Sequence, residues 1–242
     1  MIQFLGISVY WTYYLMGIIL VPGIILGIYA QAKVNSTYNK YSKVMAKSGR
    51  TASDVAKIML ESAGCNDVSV AKIDGNLTDN YNHKTKVVSL SNSVHNSSSV
   101  AAIGIAAHEV GHVLQYKTNY LPIKLRRFAI FASNLSSTLL WPLIFIGIIF
   151  NFLIVSSIGS IMIWAGIIVF GLSVLVNLVT LPVEYNASKR ATTILQQSGI
   201  LSEEETEEAG KVLKAAALTY VAALVVSILN LLRFVLAVKS RD

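Results

Sequence analysis

From Tyr10 to Ala30 the chain carries no charged residue, and at about 1.5 Å per residue a helix over that run covers a hydrocarbon layer about 30 Å thick. Such a segment is expected to span a bilayer. A cleaved signal would need a basic stretch ahead of a shorter apolar run; "MIQFLGISV" supplies no basic residue, so the expectation is an uncleaved anchor. Two further charge-free windows, Leu135 to Val155 and Ile158 to Leu181, flank "SSIGS" and read as a transmembrane hairpin. A fourth, Ala215 to Val238, is interrupted only by Arg233 near its end, where a long side chain can reach the interface. The chain as a whole is 54% hydrophobic and 14% charged, against about 25% charged in an ordinary soluble domain.

These windows divide the chain into an anchor (1–30), a polar block (31–134), a transmembrane hairpin (135–181), a shorter polar block (182–214) and a C-terminal span or membrane-associated helix (215–242). Basic residues flank the spans on the side of both polar blocks: Lys33, Lys40, Lys43, Lys47 and Arg50 after the first, Lys117, Lys124, Arg126 and Arg127 before the second, Lys189 and Arg190 after the third. The positive-inside rule then puts both blocks in the cytoplasm of a multi-pass cell-membrane protein. The net charge of +7 is accounted for by topology and the lipid surface, and no nucleic-acid partner is expected. A lone Cys65 fits a packing residue in a reducing compartment. A transporter pathway is disfavoured because the three clearest spans hold no ionisable residue.

The larger block reads as an amphipathic helix over "TASDVAKIMLESAG" with a capping Thr or Ser and a Gly stop. A small antiparallel sheet follows between Val68 and Ser91, around "DG" and "NHKT" turns; "KVVSLS", with Val87 and Ser89, is expected to present its edge. A second helix runs from about Ser98 to Tyr116. On it lies "HEVGH", which sets His108 and His112 four residues apart on one helical face with Glu109 beside them. Two imidazoles so spaced can converge on one ion, with the carboxylate in reach of a water. Imidazole and carboxylate donors suit zinc, and a catalytic site needs three protein ligands with a position left open. Glu184, at the end of the third span in "LPVEYNASKRA", is the preferred third donor. The rival cluster Glu203 to Glu208 reads as a helix start capped by Ser202 with Glu205 completing a capping box. Ser188 and Asn186 lie within a turn of Glu184 as candidate supporting groups, and Tyr185, Asn186 and His95 are chemically able to donate to an oxyanion.

"AAHEVGHVLQY", "LTDNYNHKTKVVSLS" and "LPVEYNASKRA", with the hydrophobic spacing between them, resemble the YugP-type neutral zinc metallopeptidases, bacterial membrane proteins distantly similar to the HtpX-type gluzincins. The resemblance implies that His108, His112 and Glu184 bind zinc and that Glu109 is the catalytic base. HtpX-type enzymes carry Glu-x-x-x-Asp where this chain has Ser188 in the last position, and the YugP-type Asp-His-Tyr-Asp-Pro is replaced here by "DNYNH". The fold class expected is a mainly α membrane protein, with transmembrane helices and a small cytoplasmic α+β zincin-like metallopeptidase unit. Its expected activity is zinc-dependent endopeptidase action on extended protein or peptide segments at the bilayer; the alternative is a catalytically inactive zinc-binding membrane scaffold.

Overall fold

The structure is a computed structural model and describes residues 16–134 and 156–239. The expected span Leu135 to Val155, and the start of the charge-free window that begins at Tyr10, lie outside the described residues. After a 3-10 turn at Met16–Leu20, the elements are α1 (Val21–Tyr41), α2 (Ala52–Ser62), β1 (Ser69–Ile73), β2 (Asn80–Asn82), β3 (Val87–Ser91), α3 (Asn92–His95), α4 (Val100–Lys117), α5 (121–134), α6 (Ser156–Ser198) and α7 (Glu203–Lys239). The chain divides into two compact units: Met1–Ile28, Leu125–Thr180 and Tyr220–Asp242 form one, and Tyr29–Lys124 with Leu181–Thr219 the other.

Among the described residues of the first unit, large apolar side chains face outward. Ile25, Phe128, Phe131 and Ile168 are all more than half exposed, and Gly23 packs so closely on Val226 that a Cβ there would lie 3.0 Å from its Cγ2. Among the described residues two helices are long and apolar enough to cross a membrane, Gly17–Tyr41 and Glu203–Arg233. The "SSIGS" stretch, expected to be a turn, is helical, within Ser156–Ser198; no Pro interrupts it, and Ser and a single Gly weaken a helix by only about 1 kcal/mol or less per residue. Helix α1 also continues past the apolar window to Tyr41, because loss of hydrophobicity does not end a helix and no Pro or Gly interrupts "AQAKVNSTYNKY".

The second unit is built around α4. Ser99 caps it by accepting from the Ala102 N–H, and most of its residues from Val100 to Gln115 are buried. A helix apolar on every side belongs inside a core. Helix α2 begins with a reciprocal cap between Thr51 and Asp54 and turns Val55, Ala56 and Met59 inward against it. Val88 and Leu90 of β3 pack into the same core, as do Ala191 and Leu195 of α6 and Leu213 of α7. Each large aliphatic side chain so buried contributes about 1.5–3 kcal/mol, so Val55→Asp is expected to unfold the unit.

The sheet is mixed, which corrects the antiparallel expectation. Strand order is β1-β3-β2, with β1 parallel to β3 (Ser69 opposite Val87) and β2 antiparallel to it (Asn80 opposite Ser89). Instead of following β2 outward, β3 inserts between its two predecessors. Turn residues dictate reversal of the chain; they leave open which neighbour a strand pairs with. Val87 and Ser89 therefore lie on the central strand, and the sheet edges are β1 and β2. Asp79 pins this arrangement by accepting from the N–H (2.7 Å) and hydroxyl (3.0 Å) of Ser91 at the end of β3.

Candidate metal centre

The carboxylate of Glu184 on α6 meets both histidines of α4. Its Oε2 lies 3.2 Å from His108 Nε2 and 3.5 Å from His112 Nε2. With bonds of about 2.0–2.1 Å, two donors of a tetrahedral zinc stand about 3.3 Å apart, so the observed separations bracket what one ion requires. The three residues each offer a donor atom within 4.8 Å of the others. Glu184 is 2% exposed, and the histidine side chains are 16% and 13% exposed, so the pair of imidazoles is the more accessible part of the set. Although burial alone would raise its pKa, the hydrogen bonds from His108 and His112 hold the Glu184 carboxyl well below the usual carboxylate range. It stays an anion, as a metal donor must.

Glu109 is buried on the same helix, next to His108. Burial pushes its carboxyl up; His108 and His112 oppose that rise, while Glu184 and Asp79 add to it. A divalent cation at the donors would relieve the repulsion between the two glutamates. The donor set thus fits zinc in type, spacing and charge.

The outer ring nitrogens are also held. His108 Nδ1 lies 3.1 Å from Ser188 Oγ, and His112 Nδ1 lies 3.0 Å from Gln115 Oε1. The tautomer of His112 follows from groups whose roles are fixed. Arg190 can only donate, and its Nε lies 2.8 Å from Asn186 Oδ1; the Val183 carbonyl can only accept. Gln115 Nε2 approaches Val183 O at 2.7 Å and Asn186 Oδ1 at 3.1 Å, so its amide nitrogen is turned to both. Its oxygen then faces His112 Nδ1, which must carry the hydrogen. With the Nδ1 hydrogen held there, a metal would take the place of the proton that Nε2 shares with Glu184 and use that lone pair.

The chemistry of their side chains singled out His108, Glu109, His112 and Glu184 in the sequence. The structure draws His108, His112 and Glu184 together, with Glu109 adjoining on α4. Ser188 sits against His108, and Asn186 reaches His112 only through Gln115. Sequence reasoning missed Gln115; the available signal was a polar residue three positions after His112, within contact range on a helix otherwise apolar there. Glu205 lies elsewhere, accepting from the backbone N–H groups of Lys47 (2.7 Å) and Ser202 (2.8 Å) while Ser202 Oγ accepts from Glu205 N. It closes the expected capping box. Of the other candidates for an oxyanion donor, Tyr185 is half exposed and His95 Nδ1 pairs with the adjacent Asn96 at 2.6 Å.

A family described as "Putative neutral zinc metallopeptidase" matches residues 16–239. The chain belongs to this family. Zinc is accordingly its cofactor. A Bacillus subtilis (strain 168) protein named "Putative membrane protease YugP" is 44% identical over 212 residues, which cover 87% of this chain and 91% of that protein. No solved structure matches.

Proposed function

We propose that the protein is a membrane-bound zinc endopeptidase that hydrolyses extended protein segments at the cytoplasmic face, with His108, His112 and Glu184 as ligands and Glu109 as general base. The observation that carries this reading is the convergence of three donors on one point, with a buried glutamate adjoining the first of them. Family membership and the name of the Bacillus relative support it. Zinc bound there supplies a Lewis acid and lowers the pKa of water towards about 7. Glu109 takes the proton of the attacking water and returns it to the leaving amine. Gln115 and Ser188 hold the imidazoles in the orientation that binding needs.

Substrate selectivity must come from surface near the site. Strand β2 is an edge, and it meets α4 at Tyr116, whose ring stacks on His83 (4.7 Å) and contacts Tyr81 edge-on (5.8 Å). An extended peptide adding to that edge would lie near the C-terminal end of the helix that carries the histidines. The deciding experiment compares zinc content and casein cleavage in intact protein, Glu109→Gln and Glu184→Ala. Glu109→Gln should keep zinc and lose cleavage, whereas Glu184→Ala should lose both. Wild-type cleavage by Glu109→Gln refutes the base assignment, and full zinc content in Glu184→Ala refutes the third ligand.

A further inference from the structure

A cavity of about 500 Å³ lies in the second unit between α1 and α7, lined by none of the metal donors. Four lysines line it: Lys33 and Lys40 from α1, Lys211 and Lys214 from α7; no carboxylate among the described residues does. Lys33 and Lys40 share one face of α1 with Thr37, which adds a hydroxyl donor, and with Ser36, whose hydroxyl donates to the Lys33 carbonyl at 3.1 Å. Lys211 pairs with the exposed Glu207 at 3.0 Å, and Lys40 sits 4.9 Å from the ring centre of Tyr41. Tyr29 and Leu218 also line the cavity, and beyond them both helices change character. Helix α1 and the turn before it have no charged residue from Gly17 to Tyr29, and α7 has none from Ala215 to Leu232.

We infer that this cavity binds the headgroup of an anionic phospholipid, recognised by a phosphate whose negative charge no headgroup cation offsets. Ammonium donors and the Thr37 hydroxyl converge on the phosphate oxygens, and the apolar residues take the start of the acyl chains. A volume in the range of about 300–1,000 Å³ suits a ligand of this size. Tyr41 and Val212, from the two lining helices, cluster with Ala101 of α4, so a headgroup bridging α1 and α7 stabilises the support of the metal-binding helix. The lipid source rests on reading α1 and α7 as membrane helices. If only that reading fails, the full chain is soluble without detergent, which purification itself reports.

The test uses the full-length protein in an uncharged detergent, with thermal unfolding followed on adding phosphatidylglycerol, phosphatidylcholine or inorganic phosphate. Phosphatidylglycerol should raise Tm by roughly 5 °C at saturation, and the other two should not. The double substitution Lys33→Gln with Lys214→Gln should remove most of that shift without changing zinc content. Lys33→Arg with Lys214→Arg should keep it, as should the control Lys72→Gln with Lys84→Gln, whose lysines are exposed elsewhere. An undiminished shift in the first double variant, an equal loss in the control, or an equal shift with phosphatidylcholine overturns the proposal. An equal shift with inorganic phosphate overturns the lipid source. Should the first variant not fold, Lys33→Gln alone must lose part of the shift, and an undiminished shift in that variant overturns the proposal as well.

Discussion

A Cβ added to Gly111 would lie 2.4 Å from the carbonyl oxygen of Ala187. Gly111 immediately precedes His112, and Ala187 immediately precedes Ser188, so α4 and α6 touch backbone to backbone at the level of the metal donors. That contact brings Glu184 within 3.5 Å of both imidazoles. Gly111→Ala must push α6 away, at about 1–3 kcal/mol for overpacking, and should lower zinc affinity at least about tenfold. Chelator competition measures it; unchanged affinity would mean that the helices are not held by this contact.

The outer hydrogen bonds should differ in weight. Gln115 is fully buried and joins His112, Val183 and Asn186, so Gln115→Leu strips three groups of a partner at once. It should reduce zinc affinity about 10- to 100-fold. Ser188 is only partly buried, and water can replace its hydroxyl. Ser188→Ala should therefore cost less; the reverse order of effects would contradict the tautomer assigned to His112.

How far this centre was legible follows from the range of each interaction. The caps at Thr51 and Ser99 and the spacing of His108 and His112 are local, so the chain displays them directly. Glu184 could be picked by its chemistry and its place at the end of an apolar run, but only the crossing of α4 and α6 brings it to the histidines. Gly111 carried no distinctive pattern and Gln115 only its polarity three positions after His112, because the groups that complete the role of each lie on α6, far away in sequence. The insertion of β3 between β1 and β2 was hidden for the same reason: turn chemistry is local and strand partnership is not.

Glu205 gives a pH-dependent prediction outside the centre. Burial works to raise its carboxyl, but the N–H donors of Ser202 and Lys47 outweigh that and hold it below the usual range. A depressed folded-state pKa contributes stability above the ordinary Glu value, and that contribution is lost as pH falls. Glu205→Gln should cost about 1 kcal/mol at pH 7, with the difference shrinking below about pH 4.3. A gap that widens in acid would be the wrong sign.

The proposed topology can be read by labelling. Asn80→Cys and Ser198→Cys place thiols at exposed positions of the second unit, and native Cys65 is buried. In intact cells both should be protected from a membrane-impermeant thiol reagent, while Ser157→Cys should react. Labelling of Asn80→Cys without lysis would put the metal centre outside the cell.

Strand β2 provides the last prediction. Its pairing with β3 uses one side of a three-residue strand, and an added peptide would complete the other by backbone hydrogen bonds. Each such bond contributes about 0.5–1.5 kcal/mol, so methylating two alternate backbone nitrogens of a good substrate peptide, away from the scissile bond, should slow its cleavage by roughly tenfold or more. Methylation at the intervening positions, whose N–H groups point away from β2, should matter less. Folded soluble domains should be cleaved more slowly than the same chains unfolded, because their strands are already paired. Equal rates for both methylation patterns, or faster cleavage of folded domains, would exclude strand addition at β2 and leave side-chain pockets to set selectivity.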